Sequence, residues 1–105
     1  MDACNTDREE EIKHMIVATL RAASMRLGRR KVVLFGSRAR DKASPRSDFD
    51  IGVIGGDPLP VVDFYAIGDM LDELPTLYRI DWVDFARTTD RFRERALKNV
   101  EVLYE

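Results

Sequence analysis

The sequence predicts an α/β domain in which a small β-sheet is flanked by helices. Three observations predict it. Short β-branched and aromatic runs at 31–35 (KVVLF), 48–54 (DFDIGVI) and 78–85 (YRIDWVDF) have the length and composition of strands. Segments with helix-like apolar spacing precede the first run, separate the second from the third, and follow the third. Glycine and proline punctuate the junctions at Gly28, Gly36, Gly55, Gly56 and Pro75. A chain of 105 residues makes one domain, 1–105, with residues 1–8 expected to be a flexible N-terminal segment.

The first helix is expected over 7–27. Ile12, Met15, Ile16, Leu20, Ala23 and Leu27 form one apolar stripe, and Gly28 ends it. His14 lies off that stripe and reads as a surface residue. Residues 31–35 read as a buried strand. Residues 37–46 are polar, close on Ser-Pro-Arg, and read as a turn holding one helical turn. In the second strand, alternation sets Asp48, Asp50 and Gly52 on one face and Phe49, Ile51 and Val53 on the other. A second helix over 60–74 offers Val61, Phe64, Tyr65, Met70 and Leu71 to the core and stops at Pro75. The third strand follows, and Thr88 or Thr89 caps a third helix running through Asn99. The tail VEVLY is apolar enough to pack against the domain.

Composition narrows the function class. The net charge of −2 supplies no field for a polyanion, so no direct nucleic-acid partner is expected. Arg26, Arg29, Arg30 and Lys31 read as a solvated helix end, where cations are favourable. No apolar run reaches the ~18 residues of a membrane span, and no secretory signal is visible. The single cysteine, Cys4, makes no intrachain disulfide, which fits a cytoplasmic protein.

The chemistry sits in LFGSRARDKASPRSDFDIGVIGG, residues 34–56. Asp48 and Asp50 point the same way from one strand, and their charges repel. Alone, such a pair is often solvated and idle. A hard divalent cation, Mg²⁺ or Mn²⁺, resolves the repulsion. Gly36 lets the backbone turn sharply and approach a ligand. Ser37 adds a hydroxyl and an N–H suited to phosphate. One strand end thus offers a phosphate cradle and the next a metal site, the combination a metal-bound triphosphate needs. A third carboxylate would complete a two-metal site. Asp81 and Asp84 are both available, but three positions apart they face opposite sides of the sheet, so only one can join. Asp63, Asp69 and Asp72 read as solvated helix charges.

Gly36-Ser37, ten further residues, then Asp48-x-Asp50 resembles the signature of the polymerase-β-like nucleotidyltransferase superfamily. The strings GSRAR, SDFDIGV and IDWVDF, the last preceded by a helix ending in ELP, resemble its minimal prokaryotic members. The resemblance runs from about residue 12 to the C-terminus. It implies that fold, with a small mixed sheet between helices. It also implies that Gly36 and Ser37 hold the triphosphate of an incoming nucleotide, with Arg38 and Ser47 in the nucleotide-binding set and Arg40 a weaker candidate. Asp48, Asp50 and Asp81 would be the catalytic carboxylates and the ligands of two Mg²⁺ ions, with Mn²⁺ an alternative. Asp81 takes precedence over Asp84 because it stands first in the hydrophobic-Asp-hydrophobic string. The chain departs from the pattern at Asp41, where members commonly carry glycine. Aspartate tolerates a left-handed backbone, but an inward charge there would weaken phosphate binding.

The resemblance further implies transfer of a nucleoside monophosphate, with ATP as donor and pyrophosphate leaving. Larger members add a domain that grips the acceptor. Here about 20 residues follow the third strand, so the acceptor is expected to bring its own surface. Minimal members pair with a helical protein of the HEPN class, a ribonuclease toxin silenced by attachment of AMP to a tyrosine. An oligomer with that partner is expected. Two other outcomes stand beside it: transfer to a small-molecule hydroxyl, and a non-catalytic module that neutralises a partner by binding.

Overall fold

A computed structural model of the chain describes the backbone of residues 3–36 and 48–105, with side chains from residue 9 onward in those ranges. The turn expected over 37–46 lies outside the described residues. The elements are helices α1 (Ala3–Ala22) and α2 (Ser24–Leu27), strands β1 (Lys31–Phe35) and β2 (Phe49–Ile54), helix α3 (Val61–Asp72), strand β3 (Ile80–Asp84), a 3₁₀ turn (Phe85–Arg87), helix α4 (Asp90–Ala96) and strand β4 (Glu101–Tyr104). The helix expected over 7–27 thus begins earlier and breaks once, at Ala23. The apolar stripe survives the break: Ile12, Ile16, Leu20, Ala23 and Leu27 are all buried, Met15 is half-buried and His14 is exposed. Gly28 ends α2 at φ +63°, its N–H bonded to the Ser24 carbonyl.

The sheet order is β3-β2-β1-β4. β1 runs antiparallel to β2 and β4, while β2 and β3 are parallel. A parallel pair needs a crossover, and α3 supplies it. The VEVLY tail packs, as expected, but as a strand: β4 pairs with β1 at the sheet edge.

Alternation splits the sheet between two layers. Val32, Leu34, Phe49, Ile51 and Val53 face α1 and α3, where they meet Ile12, Ile16, Leu20, Ile67 and Leu71. Val33 and Phe35 face the other way, toward Phe85, Val83, Ala96 and Leu97. Within α3 the expected core set needs correction. Ile67 and Leu71 are buried, Phe64 and Met70 pack against the core, but Val61 and Tyr65 are 53% and 65% exposed. The buried face is centred on 64, 67 and 71, and at ~100° per residue Tyr65 points well away from it.

The basic cluster near Gly28 is spent on local structure. Arg26 pairs with Asp63 at 2.7 Å, tying α2 to α3. Arg30 donates to the carbonyls of Leu27, Asp57 and Pro58, latching the loop after β2.

Gly52, in the middle of β2, has a packing reason. A β-carbon there would run into the Phe85 ring, which lies over the strand. Gly52→Ala is therefore expected to destabilise the domain by about 1–3 kcal/mol through overpacking. Urea denaturation followed by circular dichroism checks this; an unchanged midpoint would show that the ring moves aside freely.

Candidate active site

One end of the sheet collects the acidic residues. β1 ends where β2 and β3 begin, so Phe35 pairs with Asp50, and Asp50 pairs with Asp81 across the parallel ladder. Asp50 and Asp81 lie on the face that carries Gly52 and Val83, opposite the α1–α3 core. Asp48 is half-buried one residue before β2.

The electrostatics follow from this crowding. Asp50 has its pKa raised from 3.8 to about 6. Burial is the first cause. The Asp81 charge comes next, then a hydrogen bond that protonated Asp50 makes with Asp81, then the Asp48 charge. Gly36 sits directly beside this group. Its φ is +78°, a left-handed value that favours glycine, and a β-carbon there would lie on the Asp50 carboxylate. Only glycine permits both the turn out of β1 and the close approach of Asp50.

Of the two β3 aspartates, the parallel register sets Asp81 beside Asp50 and Asp84 beside Val53. Asp84 is buried and committed to structure. It accepts from Leu59 N–H at 2.8 Å and from Ala86 N–H at 3.0 Å, capping the 3₁₀ turn. Arg87 Nε lies 3.6 Å from its carboxylate, and Arg87 also donates to the Leu59 carbonyl. Asp84 therefore staples β3 to the loop before α3 and faces away from Asp50.

The sequence reading missed Arg79. Its carbonyl accepts from Phe49 N–H at 2.9 Å, which sets the parallel register one step before Asp50. Its guanidinium Nε lies 3.1 Å from Asp81 Oδ1. An arginine two residues before a strand aspartate shares its face by alternation, a signal that was present in RIDWV. Ser37, Arg38, Arg40, Asp41 and Ser47 lie outside the described residues.

The donor set fits a hard divalent cation: carboxylate oxygens crowded on one face, with their charges only partly offset by one exposed arginine. Among the described residues no group of three or more His, Cys, Asp or Glu side chains is placed to hold a metal ion. Asp50 and Asp81 form an open acidic edge.

Comparison with known proteins agrees with this geometry. A family model described as "Polymerase beta, Nucleotidyltransferase" matches residues 25–105. A Haemophilus influenzae protein named "Probable protein adenylyltransferase MntA" is 34% identical over 71 residues, 68% of this chain. That match spans 62% of the relative's length, less than two thirds. Among solved structures, a chain from a toxin–antitoxin crystal structure with AMP-PNP superposes with a TM-score of 0.62 at 21% identity, covering 88% of this chain and 72% of that one. A chain from a tri-AMPylated Shewanella oneidensis HEPN toxin in complex with MNT antitoxin gives 0.64 at 19% identity, covering 90% and 71%. At these identities the two structures establish likeness of fold.

Two predictions test the site's electrostatics. Asp50 binds its proton more tightly in the folded state than in the unfolded chain. The stability this contributes is full below pH ~4 and is lost as pH rises through about 6. Asp50→Asn should therefore raise stability at pH 7.5 by about 1 kcal/mol, discounted for the group's partial exposure, and leave it unchanged at pH 4. Paired thermal melts at the two pH values read this out; equal shifts at both would refute it. Asp84→Ala should instead cost about 2–4 kcal/mol at neutral pH by orphaning two backbone N–H groups and Arg87. An Asp84→Ala protein as stable as the parent in the same melts would overturn the staple.

Proposed function

The chain belongs to the polymerase-β nucleotidyltransferase family, and we propose that it transfers AMP from ATP to a hydroxyl, a tyrosine of a HEPN-type partner protein. The observation that carries this reading is the parallel register that sets Asp50 against Asp81, beside Gly36 at the end of β1. Family membership supports nucleotidyl transfer. The relative named as a protein adenylyltransferase supports a protein acceptor. The likeness to chains from toxin–antitoxin structures, one with AMP-PNP and one with an AMPylated HEPN toxin, supports ATP and a HEPN partner.

Asp48, Asp50 and Asp81 would hold two Mg²⁺ ions. Bound there, the ions supply charge stabilisation to the attacking and leaving oxygens of an in-line displacement. The chain's own residues then do three things. The backbone at Gly36 and Ser37 receives phosphate oxygens. Asp81, released from Arg79, takes the proton of the attacking hydroxyl. The acceptor oxygen bonds to the α-phosphorus, the bond to the bridging α–β oxygen breaks, and pyrophosphate leaves. Asp48 and Asp50 would hold the ions, whose charge would stabilise the reacting phosphate.

The test is intact-mass spectrometry of the product of the neighbouring gene, incubated with the chain, Mg²⁺ and each nucleoside triphosphate in turn. The expected result is a gain of one or more AMP groups with ATP alone. Asp48→Asn should abolish the gain while leaving a folded domain. A stable complex of the two proteins with no mass gain would point to neutralisation by binding. No gain and no complex would point to a small-molecule acceptor.

A further inference from the structure

Two clefts flank the acidic edge, and they differ in charge. The first, about 340 Å³, lies against the free edge of β3 and is lined by Asp72, Thr76, Arg79, Asp81 and Trp82 among others. Its one cation, Arg79, is already paired with Asp81. The second, about 370 Å³, lies between the end of β1 and α4. Its described lining is Phe35, Gly36, Phe92, Arg95, Ala96, Lys98 and Asn99. Among those described lining residues there are two cations and no carboxylate. Gly36 is shared between this cleft and the Asp50 contact, so the cleft opens where the carboxylates end.

We propose that the α4 cleft is the nucleoside pocket of the nucleotide, with the Phe92 ring as stacking platform and Arg95 and Lys98 as counter-charges to the phosphates. This rests on the nucleotidyl-transfer reading and adds to it where the nucleotide lies.

The aromatic geometry supports a platform. Phe92 stacks on Phe85 at 6.0 Å and 27° and meets Phe35 edge-on at 6.0 Å. Phe35 in turn meets Phe85 edge-on at 5.1 Å. The two neighbours hold the ring, yet 41% of the residue remains exposed. A held but exposed aromatic ring is what a flat base stacks on. The cations of this region divide into two groups. Arg87 is bonded to Asp84 and Leu59, and Arg93 to Asp90 and the Phe85 carbonyl. Arg95 and Lys98 are exposed and make no ion pair among the described residues. Asn99 offers an amide that both donates and accepts, suited to the edge of a base. A triphosphate enters a cationic cleft more readily than an acidic one. That leaves the β3 cleft, with Asp81 on its rim, for the acceptor.

Calorimetric titration of the full chain with ATP and Mg²⁺ tests the assignment. Phe92→Leu keeps an apolar side chain under the cleft and removes the ring. It should weaken ATP binding at least 5-fold, the lower end of base–aromatic stacking. Arg95→Glu with Lys98→Glu, both exposed and so neutral for folding, should weaken binding at least 10-fold and flatten its salt dependence. Asp72→Ala in the opposite cleft should change it less than 2-fold. If the parent binds ATP and the α4 variants bind equally well, the pocket lies elsewhere and the proposal fails while the transferase reading stands. If the parent binds no nucleoside triphosphate, both readings fail.

Discussion

The site depends on the parallel register of β2 and β3. A slip of one residue would carry Asp81 to the α1–α3 core face and turn Asp84 onto the opposite face, because side-chain direction alternates along a strand. Several contacts hold the register. Phe49 N–H bonds to the Arg79 carbonyl at the mouth of the pair. Trp82 stacks on Phe64 of the crossover helix and donates its indole N–H to the Phe64 carbonyl at 3.0 Å. Asp84 anchors the far end to the loop preceding that same helix. Phe85 then folds over Gly52, so the strand leaves the sheet in one direction only. α3 is thus both the connection that makes parallel pairing feasible and the clamp that sets its phase.

That phase explains how much of the molecule was legible in the chain. The first three strands and the faces of DFDIGVI follow from a period of two, a local property. The α1 stripe follows from a period near 3.6 in the same way. Asp81 and Asp84 could be sorted onto opposite faces by parity, but parity does not say which face is which. The answer lies in the pairing Asp50–Asp81 and in the two backbone N–H groups that claim Asp84, and both are long-range facts. β4 was legible as apolar but not as a strand, since a run of four residues becomes a strand only against β1. Val61 and Tyr65 looked like core because they are apolar; the pitch of α3 turns them outward. Arg79 escaped notice because its pairing with Asp81, two positions on, follows from the side-chain contact rather than from the strand pattern.

The second face of the sheet is graded along its length. At one end stand Asp50 and Asp81, with Gly36 beside them. One step further are Gly52, Val33 and Val83, under Phe85. The apolar half is what makes the acidic half costly: it partly buries Asp50, and burial is the leading cause of its raised pKa. A carboxylate in this position is poorly solvated, and among the described residues no cation pairs with Asp50. Arg79 offsets only Asp81, and from an exposed position where an ion pair contributes little.

The same grading gives the acidic edge a direction. The Phe35–Phe85–Phe92 cluster closes the sheet face on the β1 side and presents a ring next to Arg95 and Lys98, which make no ion pair among the described residues. On the β3 side the sheet ends in an open strand edge and a mainly polar cleft lined by Asp72 and Asp81 among others. A polyanion arriving at the carboxylates meets favourable potential from one side and unfavourable potential from the other. A neutral hydroxyl has no such preference and can use the acidic side. The asymmetry follows from strand order: β1, extended by Gly36, lies on one flank of Asp50, and Asp81 lies on the other. The order β3-β2-β1 that builds the core therefore also sets the two clefts on opposite flanks of the acidic edge.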